Sequence, residues 1–127
     1  MSFFRILLVF GVFLLTSCGF VFKEHITGKY YAIGVDTRFD VSLSYENSRG
    51  EYSGKAPGRL LEYGYNDSFL VARTEEYSKV NSSYYIIDMT KDSELAHDET
   101  FRIGPLSRKD FDSIWNRKLA IEMKSIK

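Results

Sequence analysis

Phe39-Asp40-Val41-Ser42-Leu43-Ser44-Tyr45-Glu46 alternates apolar and polar residues without a break. That period of two belongs to a β-strand with one face buried and the other wet. Upstream, residues 29–35 are also strand-like, with Tyr31, Ile33 and Val35 on one face, and Asp36-Thr37 carries turn chemistry between the two runs. The pair predicts an antiparallel hairpin. Downstream, Asn47-Ser48-Arg49-Gly50 is a turn signal. Residues 52–58 read ambiguously, because Gly54 weakens a strand and Pro57-Gly58 breaks one. Residues 60–65 and 69–74 make the next pair, around Asn66-Asp67-Ser68, a loop suited to a tight antiparallel turn. A polar loop at 75–83 leads to Tyr84-Tyr85-Ile86-Ile87-Asp88-Met89, an apolar run fit for a central strand. Residues 91–100 read as a charged loop and 101–103 as a short edge strand.

After Gly104-Pro105-Leu106, which reads as the end of the β region, the period changes. Ser107 is a good N-cap, with Asp110 three residues on. Phe111, Ile114, Trp115 and Leu119 then fall on one helical face. Burying Phe111 and Trp115 against a sheet is worth about 1.5–3 kcal/mol each. Residues 120–127 either continue the helix or fray. The expected fold class is α+β: a small antiparallel β-sheet of about five strands, with one C-terminal α-helix packed on it and an N-terminal signal helix before it.

Composition agrees with a strand-rich domain. Nine Tyr and ten Phe in 127 residues favour strands over helices. The 17 basic and 17 acidic residues balance, so there is no basic stripe for nucleic acid. With one cysteine, no intrachain disulfide forms, and aromatic packing must supply much of the stability.

The N-terminus has its own organisation. Residues 1–5 carry one charge, Arg5, residues 6–15 are apolar, and Leu15-Thr16-Ser17-Cys18 follows. The apolar length suits a signal peptide, but an ordinary cleavage site wants a small residue where Leu15 stands. Leu15, Ser17 and Cys18 instead resemble a bacterial lipobox. The resemblance implies cutting before Cys18 and acylation of its sulfur, which also removes a spare thiol from an oxidising compartment. Two or more acyl chains anchor stably. The alternatives are a plain signal peptide, or an uncleaved span over 6–22 at the lower edge of the ~17–25 residues a bilayer needs. The domain expectation is a signal peptide at 1–17, a lipidated tether at 18–26 and a single β-rich domain with a C-terminal helix at 27–127. In lipoproteins the residue after the cysteine sorts the protein, and Gly19 is not the aspartate of inner-membrane retention. The outer membrane or cell surface is therefore the expected location.

Tyr63-Gly64-Tyr65-Asn66 leading into Phe69-Leu70-Val71-Ala72, then Tyr84-Tyr85-Ile86-Ile87, then Gly104-Pro105-Leu106 with Phe111, are also similar to small bacterial lipoproteins and secreted domains. That likeness covers about half the chain and implies a fold and a location, with no activity to carry over.

Catalytic motifs do not emerge. His25 and His97 each lack a second His or Cys at ligand spacing. Asp92, Glu94, Asp98 and Glu99 cluster in one loop, but their spacing matches no calcium loop, so a solvated acidic loop is expected. There is no Gly-x-Ser-x-Gly elbow and no phosphate-binding glycine loop. Ser48, and the Asn-x-Ser patterns at Asn66 and Asn81, read as turn chemistry. The tyrosines remain. On a strand, neighbours face opposite ways, so one of Tyr30 and Tyr31, and one of Tyr84 and Tyr85, should point outward. Tyr30, Tyr45, Tyr63, Tyr65 and Tyr84 form the candidate binding surface, since amphipathic rings suit protein or glycan contact.

The sequence thus predicts a non-enzymatic, lipid-anchored envelope module. Its expected partners are membrane lipid through Cys18 and an envelope protein or glycan, with no cofactor, no metal and no nucleic acid. An immunity- or inhibitor-type role is one form of this. The alternatives are a structural accessory subunit of an envelope complex, or a hydrolase built on Asp88 or the acidic loop.

Overall fold

The computed structural model describes residues 21–35, 40–76 and 81–126. The signal segment, including Leu15, Thr16, Ser17 and Cys18, lies outside the described residues, as do the turn at 36–39 and Tyr77.

The chain is mostly β, with two antiparallel sheets and a short C-terminal helix. The first sheet has the order β1 (Phe22–Thr27), β2 (Tyr30–Gly34), β3 (Ser42–Glu46), β4 (Tyr52–Gly54). The second is built from β5 (Arg59–Tyr65), β6 (Phe69–Glu75), β7 (Ser83–Asp88), β8 (Arg102–Leu106) and β9 (Lys124–Ser125), in the order β8-β7-β6-β5-β9. The expected hairpins form. Tyr30 pairs with Tyr45 across β2 and β3, and Tyr63 pairs with Ala72 across β5 and β6. Cross-strand charges match as well: Arg59 meets Glu75, and Arg73 meets Glu62, each at 2.8 Å.

The expected single sheet is two, divided between β4 and β5, and residues 22–26, expected as tether, add an edge strand to the first from Phe22 onward. Strand β1 buries Ile26, and Phe22 packs against the same core. The two sheets then close face to face. Ile26, Tyr30, Ala32, Val41 and Leu43 from the first meet Leu60, Tyr63, Leu70, Ala72, Tyr85 and Ile87 from the second. Residues of β2 point inward at Tyr30 and Ala32, so Tyr31 lies on the outer face, stacked edge-on with Tyr52 at 5.4 Å.

The second sheet is covered on both sides. Val71, Tyr84 and Ile86 on its far face pack against Phe111 and Leu119 of the helix. Tyr84 and Phe111 stack nearly parallel, with centroids 4.5 Å apart. Tyr84 and Tyr85 are therefore both buried, against the expectation that one points outward. Alternation holds, but each face has its own cover.

Helix α1 is one turn at Asp98–Phe101. Helix α2 runs from Arg108–Asp110 through Phe111–Asn116 to Arg117–Leu119, with its middle in the π form. Ser107 caps it as expected, accepting the Asp110 N–H at 3.1 Å. The wider i→i+5 turn rotates the residues after Phe111 relative to an α-helix. Phe111 and Leu119 stay buried, Trp115 becomes half-buried, and Ile114 is 59% exposed, not part of the buried face. Ala120, in the left-handed conformation at φ 49°, stops the helix. The chain then returns as β9 beside β5, pairing Lys124 with Tyr63, where further helix or fraying was expected. Likewise Gly104-Pro105-Leu106 lies inside β8, on the sheet edge, and does not end the β region. No helix among the described residues is long and apolar enough to cross a membrane.

Candidate functional site

The turn between β1 and β2 and the turn between β5 and β6 meet at one pole of the sandwich. They enclose an open groove of about 560 Å³. Tyr30, Tyr45 and Tyr65 line it with Met89, while Lys29 and Asp67 put one charge of each sign on its rim. Three of the five sequence-predicted tyrosines are thus brought together. Tyr65 is 47% exposed, Tyr45 half-buried, and Tyr30 forms the floor at 4%. Tyr30 and Tyr45 meet edge-to-face, with centroids 5.2 Å apart.

The other two do not join them. Tyr63 is in the inter-sheet core, its hydroxyl donating to Glu24 at 3.0 Å. Tyr84 lies under the helix. As binding-surface residues, Tyr63 and Tyr84 are corrected to core. The reason in both cases is a cover that local pattern does not show: the first sheet over Tyr63, the helix over Tyr84.

Behind the groove is a polar network. Asp92 accepts the Tyr30 hydroxyl at 2.6 Å and the Lys55 ammonium at 2.8 Å. Both charges are buried, at 5% exposure for Lys55 and 0% for Asp92. The Lys55 ammonium also donates to the Ser93 carbonyl and lies over the rings of Tyr45 at 4.8 Å and Phe101 at 4.5 Å. Burial, reinforced by the Asp92 carboxylate, pushes the Tyr30 phenol well above its ordinary value, so it remains a neutral donor. The 91–100 loop is solvated as expected at Glu94, Asp98 and Glu99, and departs from that expectation only at the Asp92 side chain. The Asp92 side chain is buried, while at the surface Glu94 accepts from Ser48 on the β3–β4 turn and Asp98 pairs with Arg102. Neither Lys55 nor Asp92 was identified from sequence as a pair, and nothing in the local pattern at 53–57 marks that lysine as internal.

A second groove, of about 610 Å³, lies across the Asn66-Asp67-Ser68 turn from the first. Phe69, Ile103, Trp115 and Leu119 make its apolar wall, with Lys118 over the Trp115 ring at 5.4 Å. Asp88 and Lys91 stand on its rim. Asp88 accepts from the Thr90 hydroxyl at 2.6 Å, a turn contact. The Asn66 side chain holds the dividing turn, accepting the N–H groups of Ser68 and Phe69.

Other candidates are scattered. His25 is within β1, its Nε2 2.8 Å from the Gly28 carbonyl, and His97 precedes α1 with no side-chain cap bond. Among the described residues no group of three or more His, Cys, Asp or Glu side chains is placed to hold a metal ion. What this pole offers is aromatic surface with a mixed polar rim, a chemistry of recognition. No family model, no curated protein and no solved structure matches the chain.

Proposed function

We propose that this protein is a lipid-anchored envelope module that binds a protein or glycan partner, without chemistry of its own, through the tyrosine-lined groove. The observation that carries the reading is the convergence of Tyr30, Tyr45 and Tyr65 at one pole. Strand β1 gives that pole a direction. It starts at Phe22, next to the lipobox, and ends at Thr27 on the groove. Six residues of strand rise about 17 Å. With Cys18 acylated, the groove lies at the end of β1 away from the bilayer, open to a partner in the aqueous space. A small tethered domain of this kind suits an immunity- or inhibitor-type role.

The test is purification from native envelopes in mild detergent, comparing wild type with Tyr65→Ala and with Ile114→Ala as a surface control. A partner in fixed ratio, lost from Tyr65→Ala and kept by Ile114→Ala, supports the groove. Equal recovery with all three proteins moves the binding surface elsewhere.

A further inference from the structure

We infer that the open end of the β1–β2 hairpin, marked by Val21 and Val35, seats on the lipid surface of the bilayer that holds the anchor. This rests on acylation of Cys18 and adds a second contact to it.

Two observations converge. The last paired residues at this end of the hairpin are Phe22 and Gly34. Val21 and Val35 stand just beyond them, on facing chains, and are 53% and 58% exposed. They are two of the few large apolar side chains that the described residues leave in solvent, and the register places them together. The second observation is chain length. Only Gly19, Phe20 and Val21 separate Cys18 from Phe22. Four steps of chain reach at most about 14 Å, even fully extended. The acylated sulfur stays at the membrane surface, and a headgroup layer is only about 6 Å thick. The hairpin end is therefore confined to within a short distance of lipid, and it leaves Val21 and Val35 exposed there.

Lys23 lies one step further along the same hairpin, opposite Ile33, and its ammonium reaches towards the middle of the sheet, 5.2 Å from the ring centroids of Tyr31 and Tyr52. Two valines at the end of the hairpin, with a lysine behind them that carries its charge away towards tyrosine rings, make an interfacial combination, apolar below and polar above. The seat fixes orientation. A single flexible anchor lets a domain tumble, whereas an anchor with a seated hairpin holds the tyrosine groove outward.

Acylation of Cys18 makes Val35→Cys the sole free thiol of the mature chain. The full lipidated protein carries an environment-sensitive fluorophore there, in phosphatidylethanolamine–phosphatidylglycerol vesicles, and Asp67→Cys carries the same label at the opposite pole. Nitroxide-labelled lipid and aqueous iodide are the two quenchers. The expected result is that the label at 35 is quenched several-fold more by the lipid nitroxide than the label at 67, and is shielded from iodide. Equal iodide access at both positions, on protein that floats with the vesicles, overturns the seat and leaves the anchor standing. Protein that neither floats nor carries acyl mass overturns both.

Discussion

Asp92→Ala removes one partner from a buried pair and is the sharpest test of how the groove is held. The Asp92 carboxylate is fully buried and the Lys55 side chain nearly so. In the variant, the Lys55 ammonium keeps the Ser93 carbonyl and two ring faces but loses its counter-charge. The Tyr30 hydroxyl loses its acceptor at the same time. Breaking a buried ion pair from one side costs about 3–5 kcal/mol. For a domain of this size, at roughly 4 °C per kcal/mol, that cost lowers Tm by about 12–20 °C. The assay is thermal and urea unfolding of the detergent-solubilised chain, followed by near-UV circular dichroism of its tyrosines. Lys55→Met combined with Asp92→Ala recovers more than half of the loss, because no charge is then left unpaired. A loss below about 1 kcal/mol in the single variant is what a solvated surface pair gives and would falsify the buried-network reading. So would a double variant at the additive sum of the two singles.

Other outcomes follow from single contacts. Burial, and donation to the Glu24 carboxylate, push the Tyr63 phenol from its ordinary 10.0 up to about 12. The raised value means this contribution is fully present below pH 10.0 and is lost as pH rises towards 12, because the unfolded chain gives up the proton first. Tyr63→Phe should flatten the fall of urea stability in that window; an unchanged slope refutes the assignment. Ser107→Ala removes the cap on Asp110 and should cost about 1 kcal/mol in the same urea titration, with a value near zero counting against the cap. Ala120→Gly relieves left-handed strain of about 1–2 kcal/mol against a glycine entropy cost of about 0.5–1. It should therefore raise the urea midpoint, and a lowered midpoint would show that Ala120 packs usefully.

The strands of the second sheet were legible because each carries its own signal. Phe69-Leu70-Val71-Ala72 and Tyr84-Tyr85-Ile86-Ile87 are apolar through both parities, the mark of a strand covered on both faces. Strand β1 was not legible. Phe22-Lys23-Glu24-His25-Ile26-Thr27 has three charged or polar residues in a row, and only Ile26 is fully buried. Edge strands tolerate such residues because one of their sides carries no neighbour. Glu24 is unusual in another way: it reaches Tyr63 in the core and Lys124 on β9, so an acidic residue ties one sheet to the other. The division into two sheets falls between β4 and β5, at residues 55–58, and a list of strands does not show which neighbours pair and which part. The helix was legible at its cap and at Phe111. The π segment was not, since a shift in hydrogen-bond pattern leaves no trace in a list of apolar positions.

The groove shows the same division between local and remote information. Tyr30, Tyr45 and Tyr65 sit at strand ends that converge on one pole. Tyr63 is two residues from Tyr65 on the same strand, and so shares its parity on a regular ladder. Yet Tyr63 is 3% exposed and Tyr65 is 47%. Position along the strand separates them: the first sheet covers the middle of β5, while the end of β5 runs past that cover into solvent. Parity alone could not make that distinction, because it reports which face a side chain takes and not how far the opposing layer extends. A tyrosine therefore becomes available for binding here through two conditions together, an inward or flanking face and a place at the pole. On the proposed acylation of Cys18, the Phe22 end of β1 is the other pole, and those same conditions would then set which tyrosines a tethered domain presents to a partner.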